Sequence, residues 1–373
     1  MLIFVTYDGI KNSVFDGQVV KPLEQMQQKT LIISFEKERI PHAHITQKLK
    51  NKNNIKIITL KRGPFLGRLA LIPELFQLKK VLRKYDNYKL IARGPIAGWL
   101  CTKAMDTSQC NSFTIQARGL LAKELQYANR YANTYTKPNP KLKHKLKPKI
   151  ISKLRYFINK LRIWQLRRLE KNVYKNISNT RITRNINNIY IEAVSNALKD
   201  YLVTTFGANP TNITIATHDI PETFSKKTVL KWRTQIQKKL QIPKNTKVYC
   251  YNGSVKPWQC PEQVIQYFAN LLTHIKKQNT CDRRDLFLLI LTQNKKEFEK
   301  LLQDAGIPTS AYIVKTVDHC DIYKYLAACN YGIIFREKHI VNWVSRPTKV
   351  LEYRSVGLEI IHNDTVGFLK QGF

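Results

Sequence analysis

Short apolar runs recur along this chain and alternate with segments whose apolar residues stand three and four positions apart. In the first half, LIFVTYD, TLIISFE, IKIITL, YKLIAR, SFTIQ, IYIEAVS and NITIAT read as strands. QVVKPLEQMQQ and PELFQLKKVLRKY read as helices among them, the first following the polar loop GIKNSVFDG. In the second half KVYCYNGS, LFLLILT, YGIIFR and LEIIHN read as strands. PEQVIQYFANLLTHI, KKEFEKLLQDAG (closed by Gly306) and TKVLEYRSVG read as the helices that separate them. Unbroken apolar runs alternating with helices indicate parallel strands buried on both faces. The pattern predicts an α/β chain of two doubly wound, Rossmann-like domains. A length of 373 residues suits two such units, placed at 1–221 and 222–373 with a boundary near Pro221.

Residues 137–175 depart from this alternation. They hold fourteen Lys and Arg and one acid, Glu170. The first part, KPNPKLKHKLKPK, is interrupted by prolines and cannot form a regular helix. In the second part Ile150, Leu154, Phe157, Leu161 and Trp164 form one apolar stripe at helical spacing. Lys153, Lys160, Arg162 and Arg167 are available to the polar side. Three readings stay open: a surface helix docked on its domain, a helix lying on an anionic membrane surface, or a nucleic-acid face. No recognition-helix, RRM or OB pattern accompanies it, which weighs against the last.

Composition adds bounds. Hydrophobic residues make up 43% of the chain, which excludes global disorder. No stretch reaches the roughly 20 apolar residues of a spanning helix. The opening MLIFVTYDGI lacks a basic region and is broken by Asp8, so it reads as a buried first strand, not a signal peptide. The net charge of +37 admits nucleic acid, anionic lipid or acidic substrates as partners. The excess of 44 Lys over 19 Arg, with frequent Asn, also fits an AT-rich genome without any polyanion partner. Seven scattered cysteines without a CxxC pair read as reduced thiols of a cytoplasmic protein. His42 and His44 have no partner ligands at metal-site spacing, so no metal site is expected.

Doubly wound sheets bind ligands outside the carboxyl ends of their strands, so the strand-ending loops are where chemistry belongs. One is the polar loop from Asp8-Gly9 to Asp16-Gly17-Gln18, without a GxGxxG pattern. A second is Gly253-Ser254. A third is the pair of Arg-Gly sites, Arg93-Gly94 and Arg118-Gly119, two cations expected at one sheet edge. The fourth is FREKHIVNWVSRPTKVLEYRSVG, where Arg336 ends a strand and Pro347 stands near a helix start. Lys349 and Glu352 follow in its first turn and a half. A cation there can meet a diphosphate, and a carboxylate can clasp ribose hydroxyls. A core helix with chance surface charges is the alternative.

These residues carry a resemblance. IEAVSNALKDYL, YNGSVKPWQCPEQVIQYFANLL and YLAACNYGIIFR…SRPTKVLEYRSVGLEII, with QARGLLAKE as an Arg-Gly segment, resemble GT-B glycosyltransferases of the retaining, glycogen-synthase-like group. The resemblance implies two domains facing across a cleft, acceptor side first and nucleotide-sugar side second. It implies sugar transfer from a nucleotide-diphosphate donor to a polysaccharide or lipid-linked acceptor, retaining and metal-independent, with no cofactor beyond that donor. Glu352 would be the second glutamate of the family's E-x7-E motif, and Gly253 and Ser254 would lie by the diphosphate. Gly9, with Ser13 in the same loop, would belong to the facing glycine loop, and Arg93 and Arg118 to the acceptor side. Two departures accompany the match. Val344 stands where the first motif glutamate falls, and Ser254 and Gln259 replace the usual Arg and Lys, leaving Arg336 and Lys349 to balance the phosphates. The sequence also ends soon after LEIIHN, where family members usually continue, so either the second domain is shortened or the sequence is incomplete. The rival readings are a catalytically degenerate scaffold of the same fold and a basic nucleic-acid-binding protein. Location is expected to be cytoplasmic, with Lys153, Phe157, Lys160, Trp164 and Arg167 facing the inner membrane surface.

Overall fold

A computed structural model describes the chain except for residues 11–14, 39, 41–53, 136–147, 178–185, 187, 218–222, 244, 279–285, 319 and 372–373. Two compact units divide it, Met1–Asp219 and Ile220–Phe373. The boundary residue Pro221 lies outside the described residues.

The first unit is built on β1 (Leu2–Thr6), β2 (Thr30–Glu36), β3 (Ile55–Lys61), β4 (Tyr88–Arg93), β5 (Cys110–Ala117), β6 (Ile189–Ala193) and β7 (Ile213–Ile215). They form one sheet in the order β3-β2-β1-β4-β5-β6-β7, parallel at every pairing. The second unit holds β8 (Lys247–Asn252), β9 (Leu286–Leu291), β10 (Tyr312–Lys315), β11 (Tyr331–Ile334) and β12 (Glu359–His362). Their order is β10-β9-β8-β11-β12, again parallel throughout.

The apolar runs follow from burial on both faces. In β8, Val248 and Cys250 join one core cluster while Tyr249 and Tyr251 join the other. In β9, Phe287, Leu289 and Leu291 point to the first cluster, and Leu288 and Ile290 to the second. A strand with two apolar sides shows no polar alternation, which is why LFLLIL reads as an unbroken run.

Helices on the first unit include α1 (Ile72–Leu82), α2 (Gly94–Ala104), α3 (Leu121–Tyr135) and α4 (Pro148–Asn176). On the second are α5 (Pro261–Gln278), α6 (Lys295–Asp304) and α7 (Thr348–Ser355). The expected helix QVVKPLEQMQQ is a single wide turn over Asp16–Val20 followed by a short helix over Lys21–Gln25.

The basic segment contributes α4, which runs past the expected stripe. Its C-terminal half packs on α2 and α3 through Leu166, Leu169, Val173 and Tyr174, all buried. Phe157, Leu161 and Trp164 of the stripe are exposed, at 64%, 44% and 55%. Docking therefore uses the next turns of the helix and leaves these three residues uncovered.

Glu170, the acid inside this basic run, fixes α4 in place. Its carboxylate accepts hydrogen bonds from the amides of Leu121 (2.5 Å) and Ala122 (3.2 Å), the first turn of α3. Those amides have no acceptor within their own helix. Burial pushes the Glu170 carboxyl up from 4.5 to about 8, Glu124 adding to the rise while the two amides and Arg167 oppose it. The folded protein thus holds this proton more tightly than the unfolded chain does. Its stabilising contribution is complete below about pH 4.5 and is lost as pH rises through about 8. The thermal midpoint of the parent is predicted to fall across that window and that of Glu170→Gln to stay flatter. Superimposable pH profiles would refute the assignment.

Candidate functional site

In the second sheet the strand order reverses between β8 and β11, and a doubly wound sheet opens its binding crevice at that point. Two strand ends meet there. Asn252-Gly253-Ser254 follows β8, and Phe335-Arg336 follows β11.

Asn252 is pinned twice by α7. Its side-chain Nδ2 donates to Glu352 Oε2 at 2.9 Å, and its backbone N–H donates to the Tyr353 hydroxyl at 3.0 Å. Glu352 is 6% exposed. Lys349 Nζ lies 3.5 Å from the same Oε2 and keeps 31% of its side chain exposed. The three-residue spacing of Lys349 and Glu352 puts them on one side of the helix, so the two site residues anticipated from the sequence do meet. The helix begins at Thr348, with Pro347 as the capping residue ahead of it. The amides of Thr348 and Lys349 open the helix and have no intrahelical acceptor.

Around Gly253 the chain is closed on itself. Gly253 N–H donates to Leu291 O at 3.1 Å and Ser254 N–H to Gln259 Oε1 at 3.0 Å. The Tyr251 hydroxyl sits 2.9 Å from Ser254 O and 3.1 Å from Gln259 Oε1. A Cβ on residue 253 would fall 2.5 Å from Gln259 Oε1 and 2.6 Å from the Tyr251 hydroxyl, so only glycine fits. The loop amides at Gly253 and Ser254 are thus already satisfied. Burial pushes the Tyr251 hydroxyl and the Cys260 thiol up, and the nearby Arg336 guanidinium opposes both shifts.

The backbone of Arg336 is held as a neighbouring strand would hold it. Its N–H donates to Asn363 Oδ1 (3.2 Å), and its carbonyl accepts from Asn363 Nδ2 (2.8 Å) and Thr365 Oγ1 (3.1 Å). Val344, in place of the first motif glutamate, is completely buried.

The first unit has its own cluster at the carboxyl edge of β1, β4 and β5. Gly9 stands in the loop after β1, where the next amide, Ile10 N–H, donates to buried Glu36 at 2.8 Å. Ser13 and the side chain of Lys153 lie outside the described residues. Arg93 Nε donates to Asp8 Oδ2 at 3.1 Å and its Nη2 to Gln18 Oε1 at 2.7 Å. Arg118 Nη2 reaches the same Gln18 oxygen at 3.1 Å. The two Arg-Gly sites thus converge on one edge through Gln18, with Arg93 itself buried. Sequence reasoning named Gln18 and Gln259 without these contacts, and it missed Asn252, Glu36 and Asn363. The polar residue that closes the apolar run KVYCYN is the signal that could have found Asn252. Among the described residues no three His, Cys, Asp or Glu side chains group as metal ligands.

No protein-family model matches the chain, and no curated protein matches it. Solved structures match its fold. HepE from Anabaena, in complex with UDP, gives a TM-score of 0.63 at 12% identity over 100% of this chain and 83% of that one. A glycosyltransferase from Rickettsia africae gives 0.59 at 13% identity, covering 99% and 80%. WaaG, a glycosyltransferase involved in lipopolysaccharide biosynthesis, gives 0.55 at 13%, covering 99% and 83%. The chain has the GT-B type of fold, α/β with two parallel Rossmann-like sheets of seven and five strands.

The Asn252–Glu352 bond is open to direct test. Asn252→Ala leaves a buried carboxylate one donor short, with an expected loss of about 1–3 kcal/mol in urea unfolding. Asn252→Asp, which sets a second carboxylate against Glu352, should lose more. Unfolding of both variants at the parent's urea midpoint would show that the contact contributes nothing.

Proposed function

We propose that this protein is a glycosyltransferase that moves a sugar from a nucleotide-diphosphate donor to a saccharide or lipid-linked acceptor. The observation that carries this reading is the pairing of Lys349 with buried Glu352 on α7, tied through Asn252 to the end of β8 where the second strand order reverses. The solved neighbours support it, since several are glycosyltransferases and one of them holds UDP.

In this reading Glu352, fixed through Oε2 by Asn252 and Lys349, accepts the ribose hydroxyls of the donor. Lys349 and Arg336 face the diphosphate, with the first amides of α7 adding positive potential. As the bond from sugar to diphosphate breaks, negative charge grows on the leaving phosphate, and cations held in place beforehand stabilise it without reorganising. Gly253 lets Gln259 and the Tyr251 hydroxyl pack against the loop after β8, which fixes that loop at the edge of the site. Arg118 lies on the acceptor side, and buried Arg93 orders that edge through Asp8 and Gln18. Transfer retains the anomeric configuration and uses protein cations in place of a metal, as the resemblance of SRPTKVLEYRSVGLEII implies. The buried Val344 favours one second reading, a protein that binds the donor without transferring the sugar.

UDP and GDP test the reading. A ligand that binds only the folded state stabilises it by about 2.7 kcal/mol at a hundred times its Kd, so one of the two should raise the thermal midpoint. Absence of any shift with either would sink the donor site. In calorimetric titrations Glu352→Gln should weaken nucleoside and nucleoside diphosphate alike by roughly 1–3 kcal/mol. Lys349→Ala should weaken the diphosphate far more than the nucleoside; equal effects on both ligands would remove Lys349 from the phosphate site.

Sugar transfer, or donor hydrolysis in its absence, is predicted to survive EDTA. Complete loss restored by magnesium or manganese would overturn the assignment of charge balance to Lys349 and Arg336. Donor binding with no turnover on any acceptor would favour the second reading.

A further inference from the structure

Large apolar side chains are left exposed in a concentrated pattern. Of the twelve such residues most exposed among the described ones, nine lie in two segments of the first unit. One segment is Leu66, Leu69, Ile72 and Phe76, exposed at 59%, 81%, 40% and 66%. The other is Tyr156, Phe157, Ile158, Leu161 and Trp164 on α4. Contiguous exposed apolar surface on a soluble fold marks an interaction site.

The two segments touch. The turn at Gly67 lies against α4 so closely that a Cβ there would overlap the Gln165 side chain. Beside this contact, a groove of about 230 Å³ is lined by Leu66, Arg68 and Leu69 from one segment and Trp164 and Arg168 from the other. The Arg168 guanidinium stands 5.5 Å from the Trp164 ring centre. Around α1, Leu71, Leu78 and Leu82 face the core, while Leu69, Ile72 and Phe76, three and four positions apart, face outward.

Charge selects the partner. Residues 61–82 hold five Lys and Arg and residues 148–176 hold nine. Each segment has one acid, and both acids, Glu74 and Glu170, are buried. Every exposed side-chain charge on the two segments is therefore positive. Electrostatic complementarity then calls for an anionic partner. An apolar, aromatic surface rimmed by cations alone suits anionic headgroups above an acyl boundary. Among the described residues no helix is long and apolar enough to cross a membrane, so the contact is with the surface.

We propose that residues 66–76 and residues 156–168 of α4 form one platform that docks on an anionic lipid bilayer. Leu69 and Phe76 enter the interface beside Phe157 and Trp164, and Arg68, Lys160, Arg167 and Arg168 meet the headgroups. This goes beyond the basic helix alone, since it assigns half of the inserting surface to a segment of ordinary charge. It stands independently of the donor site.

Co-sedimentation of the full chain with vesicles tests it. Binding is expected to vesicles of mixed phosphatidylcholine and phosphatidylglycerol, to weaken with added salt, and to be much weaker with phosphatidylcholine alone. The pairs Leu69→Ser with Phe76→Ser, and Phe157→Ser with Trp164→Ser, should each lower affinity by about tenfold or more. All four residues are exposed, so the thermal midpoint and its response to UDP or GDP should stay those of the parent. If the Leu69 and Phe76 pair binds like the parent, the two-segment platform is wrong. If the parent binds neither vesicle, or both equally, the anionic-lipid assignment is wrong and a protein partner takes its place.

Discussion

The hydrogen bond from Asn252 to Glu352 joins residues one hundred positions apart, and the carboxyl edge of the second sheet takes its form from it. Parallel strands cannot be linked by tight hairpins, so their ends are positioned by crossover helices. Here α7 supplies that control with two consecutive residues, Glu352 to the side chain of Asn252 and Tyr353 to its main chain. A carboxylate buried without donors would be strongly unfavourable. Its pairing with Asn252 and Lys349 therefore orients the cation as well as the strand end. The loop at Gly253 and the clamp of Asn363 on Arg336 complete the arrangement from the neighbouring strands.

The edge of the first sheet is organised by a different economy of charge. Arg93 and Arg118 meet on a single amide oxygen, Gln18 Oε1, and Asp8 neutralises the buried member of the pair. A cation that is visible in the sequence is thereby withdrawn from solvent. Glu170 works without net charge, since its carboxyl oxygens accept two amide hydrogen bonds and attach a basic segment to α3.

Much of the architecture was legible because its strands are buried on both faces, as in LFLLIL, where all six residues are buried. α2 escaped notice for the same reason. Seven of its eleven residues are buried, including Ile96, Leu100 and Cys101, and no polar side remains to show a helical period. β10 was missed as a four-residue edge strand in which only Val314 is buried. In the site, Lys349 and Glu352 could be anticipated because three-residue spacing is a local property. Asn252, Gln259 and Asn363 act through long-range contacts or loop closure, which leave little periodic trace. Segment 66–76 was opaque for a third reason. Apolar residues surround α1, so the sequence does not reveal which set is covered by the core.

α4 is one continuous helix with two environments for its apolar residues, buried at Leu166, Leu169, Val173 and Tyr174 and exposed at Tyr156, Phe157, Ile158, Leu161 and Trp164. Its two halves therefore answer to different constraints. Inward of Leu166 a substitution must satisfy close packing against α2 and α3, where even a lost methylene is felt. At the exposed apolar positions from Tyr156 to Trp164 close packing does not fix side-chain volume, so what is constrained there is apolar character. Related chains should keep apolar character, but not one side-chain shape, at Tyr156, Phe157, Ile158, Leu161 and Trp164, while keeping the size, and the single acid, of the inner half.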